Sequence, residues 1–324
     1  MKKTIILSFF FCLMILLPVF TVNAQTSVEV TISTVQQSYN RGDVVSVSGN
    51  LLSANQAVAG LVGIAVVNAQ GDNFVIRTVA TGNIIRPLGI ITSAYLSDQT
   101  GDELTSVIAG ESAYFTISVN NADSIPRDLL AAINVYDSNG VPISSGSTKH
   151  IAIASGTGFT TTLPVKIPSG AAGGLAYAYA GLYSDWPNHG GYPLSPEVSI
   201  PFTLTGTTQG ANHPSMSGGN QGAYELSFKL ANKATLGQDT IFVTSRVNGL
   251  TASNMASFTV KQPGDANADG VLDFNDLVLF ANNWIAYYNG QPWNQIFDFN
   301  KDLKLDFEDL VLFANIWIIY YTEV

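Results

Sequence analysis

Cysteine is nearly absent from this 324-residue chain, since Cys12 is the single one and lies in the apolar run at residues 5–20. Two lysines precede that run, and the small-residue stretch Val22-Asn23-Ala24 follows it. This pattern predicts a secretory signal peptide over residues 1–24, with an uncleaved N-terminal membrane anchor as the alternative. After cleavage no cysteine is left, which excludes disulfides, thiol catalysis and cysteine-based metal sites.

Positive charge is also scarce. The chain has 14 basic and 24 acidic residues, and loss of Lys2 and Lys3 with the signal peptide leaves 12 against 24, a net charge of −12. Residues 264–324 carry ten acidic and two basic side chains, so −8 of that charge lies in the last fifth. Without a basic patch to neutralise phosphates, nucleic acid is excluded as a partner. We also expect no membrane span after signal cleavage, because no further apolar run is long enough.

Recognisable catalytic groupings are lacking as well. His150, His189 and His213 are dispersed, and none has a carboxylate at metal-ligand spacing. The serines next to glycine lie in ordinary loops rather than in a nucleophile elbow. We therefore predict no catalytic residue, no organic cofactor and no enzymatic activity.

One loop of the body leaves an alternative open. Residues 183–192 combine Trp186, tyrosines, Asn, Asp and His, side chains that can stack on a sugar ring and bond its hydroxyls. The same residues can also pack a long hairpin loop onto its own domain. The alternative function is therefore a secreted carbohydrate-binding or carbohydrate-active protein with extracellular glycan as its ligand.

The body, residues 26–262, is dominated by period-two alternation rich in Val, Ile, Thr and Tyr. Short strands separated by Gly and Asn-Gly turns, without helical periodicity between them, predict antiparallel β-sandwiches.

The segment at residues 38–49, Ser-Tyr-Asn-Arg-Gly-Asp-Val-Val-Ser-Val-Ser-Gly, resembles the opening of macroglobulin-type Ig-like domains. The closing strands that this resemblance implies occur only after residue 221. We therefore predict one split domain, 26–81 plus 221–262, a second β domain inserted at 82–205, and a linker at 206–220. Three consecutive modules are the alternative.

The tail, residues 263–324, contains a duplication: 17 of 24 positions are identical between residues 265–288 and 298–321. Each copy begins with a twelve-residue acidic loop, 265–276 (the first loop) and 298–309 (the second loop). Oxygen-bearing side chains at loop positions 1, 3, 5, 9 and 12, with a backbone carbonyl from position 7, form the ligand pattern of an EF-hand-type calcium loop. Ordinary N-cap chemistry is the alternative. The predicted ligands are Asp265, Asn267, Asp269, Val271, Asp273 and Asp276 in the first loop, and Asp298, Asn300, Asp302, Lys304, Asp306 and Asp309 in the second.

Position 6 distinguishes the two loops. Gly270 occupies it in the first loop, where a positive φ is needed, whereas Leu303 occupies it in the second. A side chain in that conformation costs on the order of 1 kcal/mol. We therefore expect two calcium ions, the second bound more weakly.

The duplicated loop-and-helix pattern resembles the type I dockerin domain. That resemblance implies a module that docks onto a cohesin domain of a scaffold or surface protein; docking within the same chain or onto a second copy is the alternative. Apolar residues that recur at i, i+3, i+4 and i+7 are expected to form the core of the module: Leu277, Phe280, Ala281 and Trp284 in the first copy, and Leu310, Phe313, Ala314 and Trp317 in the second. The residues predicted to face the partner are Phe274, Asn275, Val278 and Ile285 in the first copy, and Phe307, Glu308, Val311 and Ile318 in the second.

The fold class predicted for the whole chain is mainly β. Ig-like antiparallel β-sandwich domains are followed by a small α-helical dockerin-like module with two EF-hand-type calcium loops. The predicted function is that of a secreted, non-catalytic protein of the cell surface, with the β body as a spacer or adhesive surface.

Overall fold

The structure, a computed structural model, describes residues 27–84, 86–206, 216–218 and 221–322. The predicted signal peptide and most of the predicted linker lie outside these residues. The prediction of a mainly β protein is confirmed, because strands make up most of the regular structure and two α-helices lie near the C-terminus. No helix in the described ranges is long and apolar enough to span a membrane.

The strands follow the period-two segments of the sequence, since alternating apolar and polar residues give each strand one buried face. Before residue 81 they are β1 (Val28–Val30), β2 (Ser33–Thr34), β3 (Ser38–Asn40), β4 (Val44–Ser53), β5 (Gln56–Ala57), β6 (Leu61–Val67) and β7 (Asn73–Ala80). The middle stretch forms β8 (Gly89–Ser97), β9 (Ser106–Ile108), β10 (Ser112–Asn121), β11 (Arg127–Tyr136), β12 (Pro142–Ile153), β13 (Gly158–Lys166), β14 (Gly174–Tyr183) and β15 (Val198–Thr205). The last four are β16 (Met216–Ser217), β17 (Ala223–Lys229), β18 (Gly237–Val247) and β19 (Leu250–Lys261).

The first two-sheet unit combines β1–β7 with β16–β19. One sheet has the order β1-β4-β17-β16, with β2 and β5 also paired to β4, and the other has the order β3-β19-β18-β6-β7. β17 pairs antiparallel with β4, with Tyr224 opposite Gly49, and β19 runs parallel to β3, with Val260 opposite Tyr39. The two sheets share a core to which alternate residues of β4, β6, β17 and β18 contribute.

The second two-sheet unit consists of β8–β15. A three-stranded sheet, β13-β10-β8, covers a five-stranded sheet, β12-β11-β14-β15-β9. Phe115 and Ile117 of β10 and Ile133 of β11 are fully buried in the core between them. Phe115 and Phe202 pack edge to face, which is a favourable geometry for two rings.

The tail contains helices α1 (Phe274–Tyr288) and α2 (Phe307–Thr322) and a single 3₁₀ turn at Gln295–Phe297. Its small core is built from one leucine of each loop, one phenylalanine of each helix and the phenylalanine that ends the 3₁₀ turn: Leu272, Leu305, Phe280, Phe313 and Phe297. Of the eight helix residues expected in this core, Phe280 and Phe313 are buried in it, and Leu277, Trp284, Leu310 and Trp317 pack against it. The expectation is wrong for Ala281 and Ala314, which are exposed. Each alanine directly follows a buried phenylalanine and is therefore rotated by about 100° around the helix, away from the core.

Candidate functional site: the acidic loops and helices of the tail

The first loop closes on the carboxylate of its first residue. Asp265 Oδ1 accepts a hydrogen bond from the Asp269 amide at 3.1 Å, and Oδ2 accepts one from the Gly270 amide at 2.8 Å. Asn267 Oδ1 accepts from the same Asp269 amide at 3.0 Å, and Asp269 Oδ1 accepts from the Val271 amide at 2.9 Å. Short side chains thus bond to amides two to five residues ahead, and they wind the chain into one tight turn.

The last residue of the first loop joins that turn to the helix. Asp276 is fully buried, and its Oδ1 accepts a hydrogen bond from the Ala266 amide at 2.8 Å. Its Oδ2 accepts from the Asp273 amide at 2.9 Å, while Asp273 caps α1 by accepting from the Asn275 amide at 2.7 Å. This reciprocal capping box satisfies amides that the first turn of a helix leaves without partners.

The second loop repeats this network bond for bond. Eight hydrogen bonds join backbone amides to side chains in the first loop. Each has a counterpart in the second loop. Position 6 has a positive φ in both loops, +85° at Gly270 and +67° at Leu303. The exposed Leu303 side chain gains no packing there, so the second loop carries conformational strain that the first lacks.

The residues of the loops fit calcium by their chemistry. Carboxylate and amide oxygens are the hard ligands that calcium prefers, and a carboxylate oxygen that accepts one amide bond keeps a second lone pair. The side chains are nevertheless held by backbone amides, and within the described residues no three Asp, Glu, His or Cys side chains are grouped as a metal site. Val271 and Lys304, the predicted carbonyl ligands, are exposed. Binding therefore requires the carboxylates to turn toward a common centre.

Both helices present an apolar stripe away from the tail core. Phe274, Val278, Ile285 and Tyr288 lie along α1, between 42 and 68% exposed. The same four residue types recur along α2 as Phe307, Val311, Ile318 and Tyr321, between 43 and 68% exposed, and the two exposed alanines lie in the same rows. We call these rows the α1 stripe and the α2 stripe. Six of the eight residues predicted to face a partner lie in the stripes.

The other two predicted partner residues lie beside the stripes and also take part in the loops. The Asn275 side chain donates a hydrogen bond to Asp273 Oδ2 at 3.2 Å. Glu308 Oε2 accepts from the Asn300 side chain at 3.2 Å. Both residues are exposed, so loop geometry and the helix surface are directly connected.

The loop at residues 183–192 packs against the body. Trp186 is half-buried beside Ile76 and Leu130. Tyr192 Oη accepts hydrogen bonds from Arg246 Nη1 at 3.0 Å and from Arg127 Nη1 at 3.1 Å. These contacts favour the packing interpretation of this loop over sugar binding.

Sequence reasoning missed a buried polar cluster between the two-sheet units. Arg77 of β7 is 1% exposed, and its Nη2 forms an ion pair with Glu197 Oε1 at 2.6 Å. Its guanidinium stacks 3.4 Å from the centre of the Tyr179 ring, and Glu197 Oε2 also accepts from the Thr78 amide at 2.8 Å. Burial raises the pKa of the neighbouring Tyr136 to about 12. No local pattern connects residues 77 and 197, because only the packing of the two units brings them together.

A second buried acid was also missed. Asp239 of β18 is 2% exposed, and burial raises the pKa of its carboxyl from 3.8 to about 7. The backbone amide of Ala69 partly offsets this rise by bonding to the carboxyl. Within the described residues its Oδ1 has no hydrogen-bond partner. The only sequence signal was an acid at a core-facing position of a period-two strand.

Comparison with known proteins gives no family for this chain. No family model matches it, and no curated protein matches it. Among solved structures it is similar to a crystal structure of the C-terminal domain of wzt, at 16% identity and a TM-score of 0.30, over 37% of this chain and 74% of that one. A Pseudomonas fluorescens alkylpurine DNA glycosylase AlkC bound to DNA matches at 10% identity and a TM-score of 0.25, over 37% of this chain and 31% of the other. A β-glucuronidase from glycoside hydrolase family 2 matches at 10% identity and a TM-score of 0.27, over 55% of this chain and 24% of the enzyme.

The identification of the tail as a dockerin domain is therefore wrong, and so is the assignment of the body to the macroglobulin-type family. The part of the chain that the structure describes is nearly all β with two α-helices near the C-terminus, and neither a family model nor a curated protein supports a dockerin domain. The physical reason lies in the loops. Acidic residues at this spacing close on their own backbone amides and cap a helix, so the pattern is not specific to one family. The cohesin partner was inferred from that family alone and stays an untested prediction.

Proposed function

We propose that this protein is a secreted, non-catalytic protein whose tail binds calcium in two EF-hand-type loops and attaches the β body to another extracellular protein. The two-sheet units, which we propose to be Ig-like sandwiches, act as the spacer or adhesive surface. The observation that carries the proposal is the repetition of one loop geometry and one exposed stripe in both copies of the tail.

Calcium is supported by the charge of the tail and by the position of its acids. The ten acidic residues in the 61-residue stretch 264–324 repel one another unless a cation lies among them. The turn already places Asp265, Asn267 and Asp269 on one side of the loop through shared amides. A small rotation of each side chain directs the free lone pairs inward. At millimolar calcium and a micromolar dissociation constant, each site stabilises the tail by roughly 4 kcal/mol.

Attachment to a protein is supported by the two stripes. A module of this size leaves few large apolar side chains in continuous exposed rows unless they meet another surface. Phe274, Ile285 and Tyr288 are each more than half exposed on α1. The acidic residues around the stripes favour a partner with an apolar patch and a basic rim.

Calcium titration of the full chain by isothermal calorimetry tests the first part of the proposal. We expect two ions to bind, the tighter one to be lost in the double variant Asp265→Asn, Asp276→Asn, and the weaker one to remain. Asp72→Asn, a change at an exposed acid of the body, is the matched control and leaves both sites intact. Binding of no calcium by the unmodified chain contradicts the proposal.

The second part is tested by calcium-dependent capture of extracellular proteins on the immobilised full chain. We expect Val278→Asp or Val311→Asp to lower the amount of captured partner at least tenfold, because each places a charge in a stripe. Val35→Asp changes a valine of the body that is more exposed, at 76% against 42% for Val278 and 43% for Val311, and serves as the control. Equal capture by all three variants contradicts docking through the stripes.

A further inference from the structure

A cleft of about 490 Å³ lies between the first two-sheet unit and helix α2. Its body side is formed by Arg41, Asn232 and Lys233, and the connection to the tail contributes Gln262 and Pro263. Its tail side is formed by Ile316, Ile319 and Tyr320 of α2. One wall is thus polar and basic, and the other is apolar.

The basic wall carries positive charge without a counter-ion. Arg41 Nε donates to the Ala234 carbonyl at 2.7 Å, and Nη1 donates to Gln262 Oε1 at 2.7 Å, so both acceptors are neutral. Within the described residues no ion pair includes Arg41 or Lys233, and no carboxylate lines the cleft. Partial burial of an uncompensated guanidinium is unfavourable, which is consistent with the lowered pKa of Arg41. An anion in the cleft relieves that cost.

The apolar wall is where the two helices of the tail differ. Over residues 274–288 and 307–321 the copies differ at three positions, and two of them lie in this cleft. Ile316 replaces Asn283 of α1, and Ile319 replaces Ala286. In α1 the Asn283 side chain holds the chain after the helix, accepting from the Asn294 amide at 2.8 Å. The second copy has isoleucine in place of this asparagine and so cannot form the hydrogen bond. It presents two apolar side chains, Ile316 and Ile319, to the body instead.

We propose that this cleft binds a small organic carboxylate carried on an apolar ring, with the carboxylate on Arg41 and Lys233 and the ring against Ile319 and Tyr320. A guanidinium binds a carboxylate through parallel hydrogen bonds, and an ammonium adds a point charge. Isoleucine side chains and a tyrosine ring bury the apolar part of such a ligand. Because its two walls belong to the body and the tail, the ligand fixes the tail against the body.

Calorimetric titration of the full chain with benzoate, benzamide and acetate tests the proposal. We expect benzoate to bind with a dissociation constant on the order of 1 mM, as suits a ligand of this size. Benzamide has the ring without the charge and acetate the charge without the ring, and we expect each to bind about tenfold more weakly. Equal binding of benzoate and benzamide overturns the proposal, and so does the absence of benzoate binding.

Variants on both walls locate the site. Lys233→Gln and Tyr320→Ala are each expected to weaken benzoate binding about tenfold. Lys233 is exposed, so its replacement leaves the fold intact even where Arg41→Gln does not. Lys166→Gln, at an exposed lysine of β13, and Tyr114→Ala, at a half-buried tyrosine of β10, are the controls and leave binding unchanged. Unchanged binding in Lys233→Gln and Tyr320→Ala places benzoate elsewhere and overturns the assignment of this cleft.

Discussion

Glu197 of the body and the last aspartate of each tail loop are buried carboxylates with opposite kinds of partner. In the body, Glu197 accepts hydrogen bonds from Arg77, a residue 120 positions away in the sequence. In the tail, Asp276 and Asp309 accept from backbone amides within ten residues, and neither forms an ion pair with a described residue. The Arg77–Glu197 pair therefore joins distant segments, whereas each tail loop is held by contacts within itself. We expect the two regions to respond differently to loss of charge, to pH and to calcium.

The largest effect is expected from Glu197→Gln. It leaves the guanidinium of Arg77 buried without its counter-charge, and breaking a buried pair from one side costs about 3–5 kcal/mol. The measurement is the free energy of unfolding by urea, followed by tryptophan fluorescence. Glu225→Gln, at an exposed glutamate of the first two-sheet unit, to which Arg77 also belongs, serves as the control. If both variants lower the free energy of unfolding equally, the buried Arg77–Glu197 pair contributes no more to stability than an exposed glutamate does.

The next effect concerns pH and Asp239. Its pKa is about 7 in the folded protein and 3.8 as its ordinary value, so the folded state holds this proton more tightly. The stability that protonated Asp239 contributes is full below about pH 4, falls as pH rises, and is lost above about pH 7.

Asp239→Asn removes this dependence because an amide does not titrate there. The difference in unfolding free energy between the variant and the unmodified chain should therefore shift in favour of the variant from pH 4 to pH 8. The measurement is a series of urea melts across this range. A pH-independent difference would rule out a raised pKa at this position.

The smallest effect separates the two loops of the tail. Leu303→Gly removes a side chain from a positive-φ position where it has no packing, and should raise the calcium affinity of the second loop by up to about fivefold, or 1 kcal/mol. Gly270→Ala should weaken calcium binding by the first loop by a similar factor. The effect should come from backbone strain and not from a clash, because the nearest atom to the added methyl group is Leu236 Cδ1, at 3.7 Å. Calorimetry on the full chain measures both. If both variants bind like the unmodified chain, backbone strain does not distinguish the loops.

The difference between local and distant contacts also explains which features of the fold could be predicted from the sequence. The sequence predicted the mainly β body, because alternation along a strand is enough to give it a buried face. It also indicated a helix after each acidic loop, although α1 begins within the first loop, one residue after the Asp273 cap. It placed Ala281 wrongly in the tail core, because a spacing of i, i+3, i+4 and i+7 does not decide how far the buried face extends around the helix.

The sequence by itself determined the features that depend on neighbours along the chain, which are the strands, the two acidic loops and the two stripes. The hydrogen bonds within each loop join residues two to ten positions apart, so they depend on local spacing, although the sequence alone did not predict them. Only the tertiary structure decided that Arg77 meets Glu197, that Asp239 is buried, and that Arg41 faces Tyr320 across a cleft. These contacts depend on how sheets and helices pack, and the free energy of that packing is shared by many apolar side chains, none of which identifies its partner in the sequence.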